Sequence, residues 1–158
     1  GLGMGPLPHN RTKDTAAEIG RLHRWTPVFF VAELREVNLV KDEGQLEAFA
    51  KYWTSSAPDA ESKEELHQRA ERFLRMVWKR HPDDRILIVG HKGINMALDN
   101  VLHEGTPEQI KGRIPQSNAA FSEYQIPRWE EGKITCIDGV INYTNHLGDA
   151  SPTDVRQH

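Results

Sequence analysis

The sequence predicts an α/β fold of three layers, in which helices cover both faces of a mostly parallel sheet. Helical segments alternate with short apolar segments along most of the 158 residues, an order typical of such sheets. The clearest apolar segment, residues 86–89, is a run of Ile, Leu, Ile and Val that predicts a strand buried on both faces. It leads through Gly90-His91-Lys92-Gly93 into a helical pattern. His91 is therefore expected at the carboxyl end of a core strand, where open α/β sheets bind ligands.

Composition excludes several classes of protein. A hydrophobic content of 37% over 158 residues fits one globular domain, and a net charge of −3 gives no general attraction for nucleic acid or membrane surfaces. Cys136 is the only cysteine, so no disulfide can form within the chain. No apolar run has membrane-spanning length. We expect a cytoplasmic protein that binds neither nucleic acid nor membrane.

The chain divides into a core and two short ends. Residues 1–3 precede Met4 and are expected to be a cloning remnant. Residues 4–147 carry the periodic patterns and are expected to form a single domain. Residues 148–158 are polar and contain a proline, which predicts a flexible tail.

The first half of the domain predicts a helix, a strand and another helix. The first helical pattern covers residues 12–24 and has an apolar face formed by Ala16, Ile19 and Leu22. Residues 27–31, with the sequence Pro-Val-Phe-Phe-Val, predict a short buried strand. A second helical pattern covers residues 45–53.

The clearest helix begins after Ser62. Ser62 and Glu65 have the spacing of a capping box, and apolar residues then recur at helical intervals. These residues are Leu66, Ala70, Phe73, Leu74, Val77 and Trp78. The basic Arg80 and the following Pro82 predict the end of this helix.

The sequence of the second half of the domain predicts two helices and three strands. A helix is expected over residues 94–103, and Thr106 followed by Pro107 predicts the start of a shorter one. Alternating apolar residues predict a strand over residues 119–126. Two more strands, over residues 133–137 and 140–143, are expected on either side of a turn at Asp138-Gly139.

Four residues are candidates for an anion-binding site. His91 and Lys92 lie where the N-terminus of a helix offers backbone N–H groups to an anion. Arg11 lies just before a predicted helix and could clamp an anion with two hydrogen bonds. Glu36 follows the predicted strand at 27–31. Each also has a structural alternative: a structural histidine is as common at such a position, and the other three are more often solvated surface groups.

No other chemistry is indicated by the motifs. The remaining seven histidines lack the spacing of metal ligands, and the chain contains no HExxH, Walker A, GxSxG or GxGxxG pattern. We therefore expect neither a metal nor an organic cofactor.

Six short segments, in order, resemble the histidine phosphatase superfamily, the phosphoglycerate-mutase-like proteins. Each segment is a weak signal alone, but in order they give a match that covers nearly the whole chain, from Leu7 to Leu147. They are Arg11-Thr12-Lys13-Asp14-Thr15-Ala16, Leu34-Arg35-Glu36, Ala60-Glu61-Ser62, residues 86–93 ending in Gly90-His91-Lys92-Gly93, Ser117-Asn118-Ala119-Ala120, and Ile141-Asn142-Tyr143-Thr144-Asn145-His146-Leu147.

The resemblance implies roles for these residues. Arg11 would bind the phosphoryl oxygens, with the backbone of Lys92 beside it, and His91 would stabilise the charge that builds up on those oxygens. Glu36 would protonate the leaving oxygen. The ligand would be phosphate or a phosphorylated small molecule.

The chain departs from the family pattern at its start. The family begins with a strand that ends in Arg-His-Gly, whose histidine is the nucleophile, and this sequence contains no Arg-His-Gly. Only ten residues precede Arg11, so the fold is expected to be N-terminally truncated. His9, in Pro8-His9-Asn10, is a faint look-alike of the missing histidine. Gly90 and Lys92 also depart from the family's Ser-His-Gly-Gly.

Three functional interpretations stay open at this point. The first is a phosphatase-like domain that keeps a partial phosphate pocket and is catalytically impaired or inactive. The second is an active phosphomonoesterase in which His9 acts as a relocated nucleophile. The third is a non-enzymatic homo-oligomeric scaffold, because loss of a central strand would expose apolar surface and unpaired strand edges.

Overall fold

The computed structural model describes residues 11–23, 27–37, 60–117 and 119–147. In these ranges the α-helices are α1 (Arg11–Leu22), α2 (Lys63–Arg80) and α3 (Lys92–Leu102), and the strands are β1 (Tyr124–Glu130) and β2 (Lys133–Asp138). Three 3₁₀ helices cover Ala32–Leu34, Pro107–Gly112 and Asn145–Leu147. The expected cloning remnant, His9, the helix at residues 45–53 and the tail lie outside the described residues.

Helix α2 forms as its local sequence predicts. The Ser62 hydroxyl accepts a hydrogen bond from the Glu65 backbone N–H at 3.0 Å, which satisfies one of the unpaired donors of the first turn. Most of the predicted apolar face is buried, as Leu66, Ala70, Phe73 and Leu74. The helix ends at Arg80, two residues before Pro82, as predicted.

The core lies between α2, α3 and the second 3₁₀ helix. Leu66 of α2, Ile94 of α3 and Ile110 of the 3₁₀ helix are fully buried and centre this core. Thr106 caps the 3₁₀ helix by a reciprocal capping box with Gln109, which confirms the predicted start there. None of the helices in the described ranges has the length and apolarity needed to span a bilayer.

Helix α1 forms within two residues of its predicted ends, but its predicted apolar face is only partly covered. Ala16 and Ile19 are half-buried, whereas Leu22 is 65% exposed. A Cβ on Gly20 would lie 2.7 Å from Cγ2 of Val28, so the glycine permits α1 to approach the segment at 27–31. Leu22, at the end of the predicted apolar face, therefore contributes little to the core.

The sheet differs from the prediction. The described residues form one sheet of two antiparallel strands, β1 and β2, and the mostly parallel three-layer sheet is not confirmed. Glu130 pairs with Lys133 across a two-residue turn in which Glu131 and Gly132 both have positive φ. Turns of this kind match the twist of a hairpin. Glutamate rarely adopts positive φ, so the residues at this position do not predict the turn.

Other strand predictions near the hairpin are corrected in the same way. The strand at 133–137 is confirmed as β2, but the strand expected over 119–126 begins only at Tyr124. Asp138 is the last residue of β2, and the Asp138-Gly139 pair does not join two strands. Residues 140–143 contain a single bridge, between Phe121 and Tyr143, instead of a strand.

The two apolar segments expected to be buried strands have no sheet partner among the described residues. Residues 86–89 and 27–31 are in no ladder. Leu87 is 65% exposed, so burial on both faces is wrong for residues 86–89, and Phe29 is 75% exposed, so the buried strand expected at residues 27–31 is wrong too. Their inner residues Ile88 and Val31 pack against the core. An extended segment forms a ladder only when it pairs with a neighbouring strand, and within the described ranges no strand pairs with these two segments.

A buried arginine joins α2 to the segment before it. Arg69 is 1% exposed, and its Nε and Nη2 donate to the Glu61 carboxylate at 2.9 and 2.7 Å. Its Nη1 donates to the backbone carbonyls of Arg35 at 2.6 Å and Glu33 at 2.7 Å. The Glu36 carbonyl accepts a longer bond of 3.5 Å from Nη2. One side chain therefore fixes the backbone of residues 33–36.

A second polar cluster joins the end of α3 to β2. His103 donates from Nδ1 to the Asp99 backbone carbonyl at 2.7 Å and from Nε2 to the Asp138 carboxylate at 2.9 Å. Burial alone lowers the pKa of His103, but the hydrogen bonds to Asp99 and Asp138 and both negative charges raise it above its ordinary value. The Tyr124 hydroxyl donates to Asp99 at 2.6 Å, and Arg113 lies 3.7 Å from the same carboxylate.

Replacing Arg69 with methionine should lower the free energy of unfolding by about 3 to 5 kcal/mol, because it leaves the Glu61 carboxylate buried without a partner. Urea unfolding followed by circular dichroism measures this loss. Arg72→Met, on an exposed part of the same helix, should change stability by less than about 0.5 kcal/mol. Equal effects of the two substitutions would contradict the role given to Arg69.

The free energy of unfolding should fall as the pH rises above about 6.5, the ordinary pKa of an imidazole. Stabilisation by protonated His103 is complete below its unfolded pKa of about 6.5 and is lost as the pH rises through the higher folded pKa. A loss of about 1 kcal/mol is typical of a cation at a helix C-terminus. Urea titrations across this range should show a smaller loss in Asp138→Asn, and an unchanged loss would rule out the His103–Asp138 pair as its source.

Candidate functional site

The candidate site is built on the N-terminus of α3. His91 is the N-cap residue of this helix, with φ −104° and ψ 164°, so the chain changes from extended to helical conformation there. The backbone N–H groups of the next residues have no partner within the helix. The aligned peptide dipoles also favour negative charge at this end. This confirms the predicted placement of a histidine at a helix N-terminus, although the preceding segment forms no ladder.

The Glu36 carboxylate already lies on this helix end. One of its oxygens accepts hydrogen bonds from the Ile94 N–H at 3.1 Å and the Val37 N–H at 2.9 Å. The other accepts from the Gly93 N–H at 3.1 Å. Glu36 therefore caps α3 from a position more than fifty residues earlier in the chain, and an internal anion occupies part of the anion-binding position.

Glu36 reaches α3 because its backbone is fixed by α2. The short 3₁₀ helix Ala32–Leu34 turns the chain after the extended Val31. The carbonyls that Arg69 binds belong to this turn and to Glu36 itself. Val37, the next residue, is buried in the core. The glutamate is therefore held on both sides and projects toward α3.

The His91 ring is held by a residue of α1. Its Nδ1 lies 3.2 Å from the Thr12 hydroxyl oxygen, in a contact that joins residues 79 positions apart. The other ring nitrogen, Nε2, has no hydrogen-bond partner among the residues that the structure describes. Within the described part of the chain, the ring is therefore anchored through Nδ1 only.

The structure brings together most of the predicted site residues. His91, the side chain of Glu36 and the first turn of α3, opened by Lys92, meet at one helix end. Arg11 is the first residue of α1 and adjoins Thr12 in the chain; the structure describes its backbone only. His9 lies outside the described residues.

Sequence reasoning missed Thr12 and Arg69. Threonine in a helical segment carries no signal of its own, and Thr12 was only part of a longer motif. Arg69 lies on a helix face with apolar neighbours at Leu66, Ala70 and Phe73. A charged residue on that face, eight positions after Glu61, was the available sign of a buried pair.

The last two motif segments also meet in space. The Asn142 side-chain oxygen accepts from the Ser117 N–H at 2.8 Å, and its amide nitrogen donates to the Ser117 hydroxyl at 3.2 Å. The Asn142 N–H donates to the Ser122 hydroxyl at 2.9 Å. Asn142 has a φ of 51°, a conformation that asparagine tolerates better than most residues. These contacts fix the chain that enters and leaves the hairpin.

Among the described residues, Cys136 and the acidic groups form neither an activated thiol nor a cluster of metal ligands. Burial, followed by the negative charges of Asp138 and Asp99, raises the pKa of the Cys136 thiol to about 11. The thiol is therefore protonated near neutral pH and is a poor nucleophile. Within the described ranges, no three His, Cys, Asp or Glu side chains are grouped as ligands for a metal.

Comparisons with known proteins agree with the resemblance in the motifs. A family model for the histidine phosphatase superfamily (branch 1) matches residues 8–136. The solved structure of a mycobacterial glucosyl-3-phosphoglycerate phosphatase in complex with inorganic phosphate is similar, with a TM-score of 0.69 and 20% sequence identity. The similarity covers 85% of this chain and 73% of that chain, and it shows a shared α/β fold. No curated protein matches the chain.

Glu36→Ala should lower the free energy of unfolding by about 1 to 2 kcal/mol, because three backbone N–H groups lose their acceptor. Glu36→Gln keeps one acceptor oxygen and should lose less. Thermal and urea unfolding of both variants measure the difference. Glu33→Ala, in the same segment, is the control, and a loss as large as that of Glu36→Ala would contradict the capping role.

Proposed function

The chain belongs to the histidine phosphatase superfamily, and from that membership we propose that the N-terminus of α3 forms part of a phosphate-binding site. His91 donates from Nε2 to a phosphate oxygen, and the first-turn N–H groups, beginning with that of Lys92, complete the contact. Arg11, one residue before Thr12, supplies a guanidinium that binds phosphoryl oxygens in pairs. The ligand is inorganic phosphate or a phosphorylated small molecule.

One observation carries this proposal. A carboxylate, that of Glu36, already accepts hydrogen bonds from Gly93 and Ile94 at this helix end, next to His91. A site that holds one anion by backbone N–H groups has the geometry to hold another. The similar mycobacterial enzyme was solved with inorganic phosphate, which supports the choice of anion.

In this proposal the main role of Glu36 differs from the acid catalysis that the motif alone implies. Both of its carboxylate oxygens are engaged by N–H groups. Donating a proton to a leaving oxygen would require at least one of these contacts to break. We assign Glu36 first to holding the helix end and to forming the wall of the site, and only second to acid catalysis.

We propose that this polypeptide binds phosphate but hydrolyses phosphomonoesters slowly. Its 158 residues contain no Arg-His-Gly, so the family's nucleophile is not among them in its usual motif. Loss of a nucleophile lowers kcat by several orders of magnitude, although the remaining donors still bind and stabilise charge. The first step of covalent phosphoryl transfer therefore has no strong candidate here.

Inorganic phosphate should bind to the protein, and His91→Ala should weaken binding by about tenfold to a hundredfold, the value of a hydrogen bond to a charged group. Titration followed by ³¹P NMR or calorimetry measures this change. His81→Ala removes an exposed histidine at the end of α2 and serves as the control. Unchanged affinity in His91→Ala would refute the site.

The same proteins test the catalytic part of the proposal. Hydrolysis of p-nitrophenyl phosphate should be very slow. Rapid hydrolysis that His91→Ala abolishes would instead support an active phosphatase. In that case, trapping of a phosphohistidine that is lost in His9→Ala would identify His9 as the relocated nucleophile.

A homo-oligomer is a second candidate state, and the exposed apolar segments support it. Phe29 is 75% exposed and its neighbour Phe30 is 61% exposed, with the Lys13 ammonium 5.6 Å from the Phe30 ring. Leu87, on the other apolar segment, is exposed as well. Contiguous exposed apolar residues are typical of interfaces between proteins. A second copy of the chain could cover them.

Light scattering at micromolar concentration should show a dimer or larger species. Substituting serine for Phe29 and Phe30 together should shift it toward monomer, because the apolar contact area is lost. Ile114→Ser changes another exposed apolar residue, near the second 3₁₀ helix, and should leave the mass unchanged. A monomeric parent protein would exclude the oligomeric scaffold.

A further inference from the structure

The contact between Thr12 and His91 places a hydroxyl group beside one nitrogen of the imidazole ring. A neutral imidazole has one N–H donor and one acceptor nitrogen, and the hydrogen bond at one nitrogen sets the state of the other. Here Nδ1 faces a hydroxyl group at 3.2 Å. A hydroxyl can donate or accept, so it is compatible with an Nδ1 that carries no proton.

The position of Thr12 in α1 favours donation to the ring. A helical threonine often directs its hydroxyl to the carbonyl one turn earlier. Thr12 is the second residue of α1, so no carbonyl one turn earlier belongs to the helix. The β-branched side chain is also restricted in χ1, which fixes the position of the hydroxyl oxygen but not of its proton. Donation of that proton to Nδ1 leaves the proton of the neutral ring on Nε2.

His103 shows the alternative arrangement in the same molecule. Its Nδ1 faces the Asp99 carbonyl at 2.7 Å and its Nε2 faces the Asp138 carboxylate. Both partners are acceptors only, so both hydrogen bonds require the doubly protonated ring. A carbonyl at Nδ1 of His91 would impose the same condition, and Nε2 could then donate to a phosphate only when the ring is cationic.

We infer that Thr12 is a positioning residue, which holds neutral His91 in the form that carries its proton on Nε2 and directs that N–H toward the phosphate. The inference rests on the proposed phosphate site. It explains how His91 donates to an anion while its ring is uncharged. The charged groups assigned to the proposed site are Glu36, Lys92 and Arg11, and substitution of Thr12 alters none of these side chains.

The direct test is ¹⁵N NMR of the histidine ring at about pH 8, where an ordinary imidazole is neutral. The parent protein and Thr12→Ser should show a protonated Nε2 and an unprotonated Nδ1 for His91. Thr12→Val removes the hydroxyl at almost constant shape and should give a mixture of the two forms. Thr15→Val, at an exposed position of α1, is the matched control and should resemble the parent.

Phosphate affinity gives an independent readout. At about pH 8, Thr12→Val should bind phosphate about fivefold more weakly, the net value of one hydrogen bond, and Thr12→Ser should restore binding. Near pH 5, where a typical imidazole carries both protons, the difference should largely disappear. A purely structural role for Thr12 would give the same loss at both pH values.

The outcomes separate the two proposals. A parent protein whose His91 carries its proton on Nδ1 would overturn the role of Thr12, as would an unchanged ring in Thr12→Val. If the ring responds as expected but the parent protein binds no phosphate, the proposed phosphate site fails and the assignment of Thr12 to phosphate binding fails with it. The ring spectra do not depend on phosphate, so the two failures are distinguishable.

Discussion

The buried ion pair of Arg69 and Glu61 is the interaction on which the candidate site depends. Arg69 would be costly to bury alone, and the carboxylate together with three backbone carbonyls satisfies its donors. Those carbonyls belong to residues 33–36, so the pair fixes the path of a segment that has little regular structure. Glu36 is at the end of that segment and reaches α3. The buried charge of Arg69 in α2 therefore positions Glu36 at the N-terminus of α3.

Several groups at the N-terminus of α3 each weakly favour a bound anion. The backbone N–H groups, the helix dipole and the His91 ring all favour a negative group there. The Glu36 carboxylate meets part of this preference within the protein itself. A phosphate would have to share the donors with Glu36 or displace it from some of them. The affinity for phosphate therefore depends on how strongly the helix end binds phosphate compared with the Glu36 carboxylate.

The exposed apolar segments and the hairpin show how strongly strand formation depends on partners. Residues 86–89 have a composition typical of a core strand, yet among the described residues they form no ladder. β1 and β2 are less apolar and do form one, because a two-residue turn at Glu131-Gly132 places them side by side. Composition alone gives a segment the tendency to be a strand. A neighbour at hydrogen-bonding distance decides whether it becomes one.

The sequence by itself determined the three described helices, the cap of α2 at Ser62 and the histidine at the start of α3, because these depend on contacts within four residues of the chain. It also identified the family, from six motifs in order. Tertiary structure alone decided that Thr12 orients His91, that Arg69 binds the carbonyls of residues 33–36, and that Glu36 caps α3. These contacts join residues from 33 to 79 positions apart. Their geometry follows from how helices pack, which no local pattern encodes.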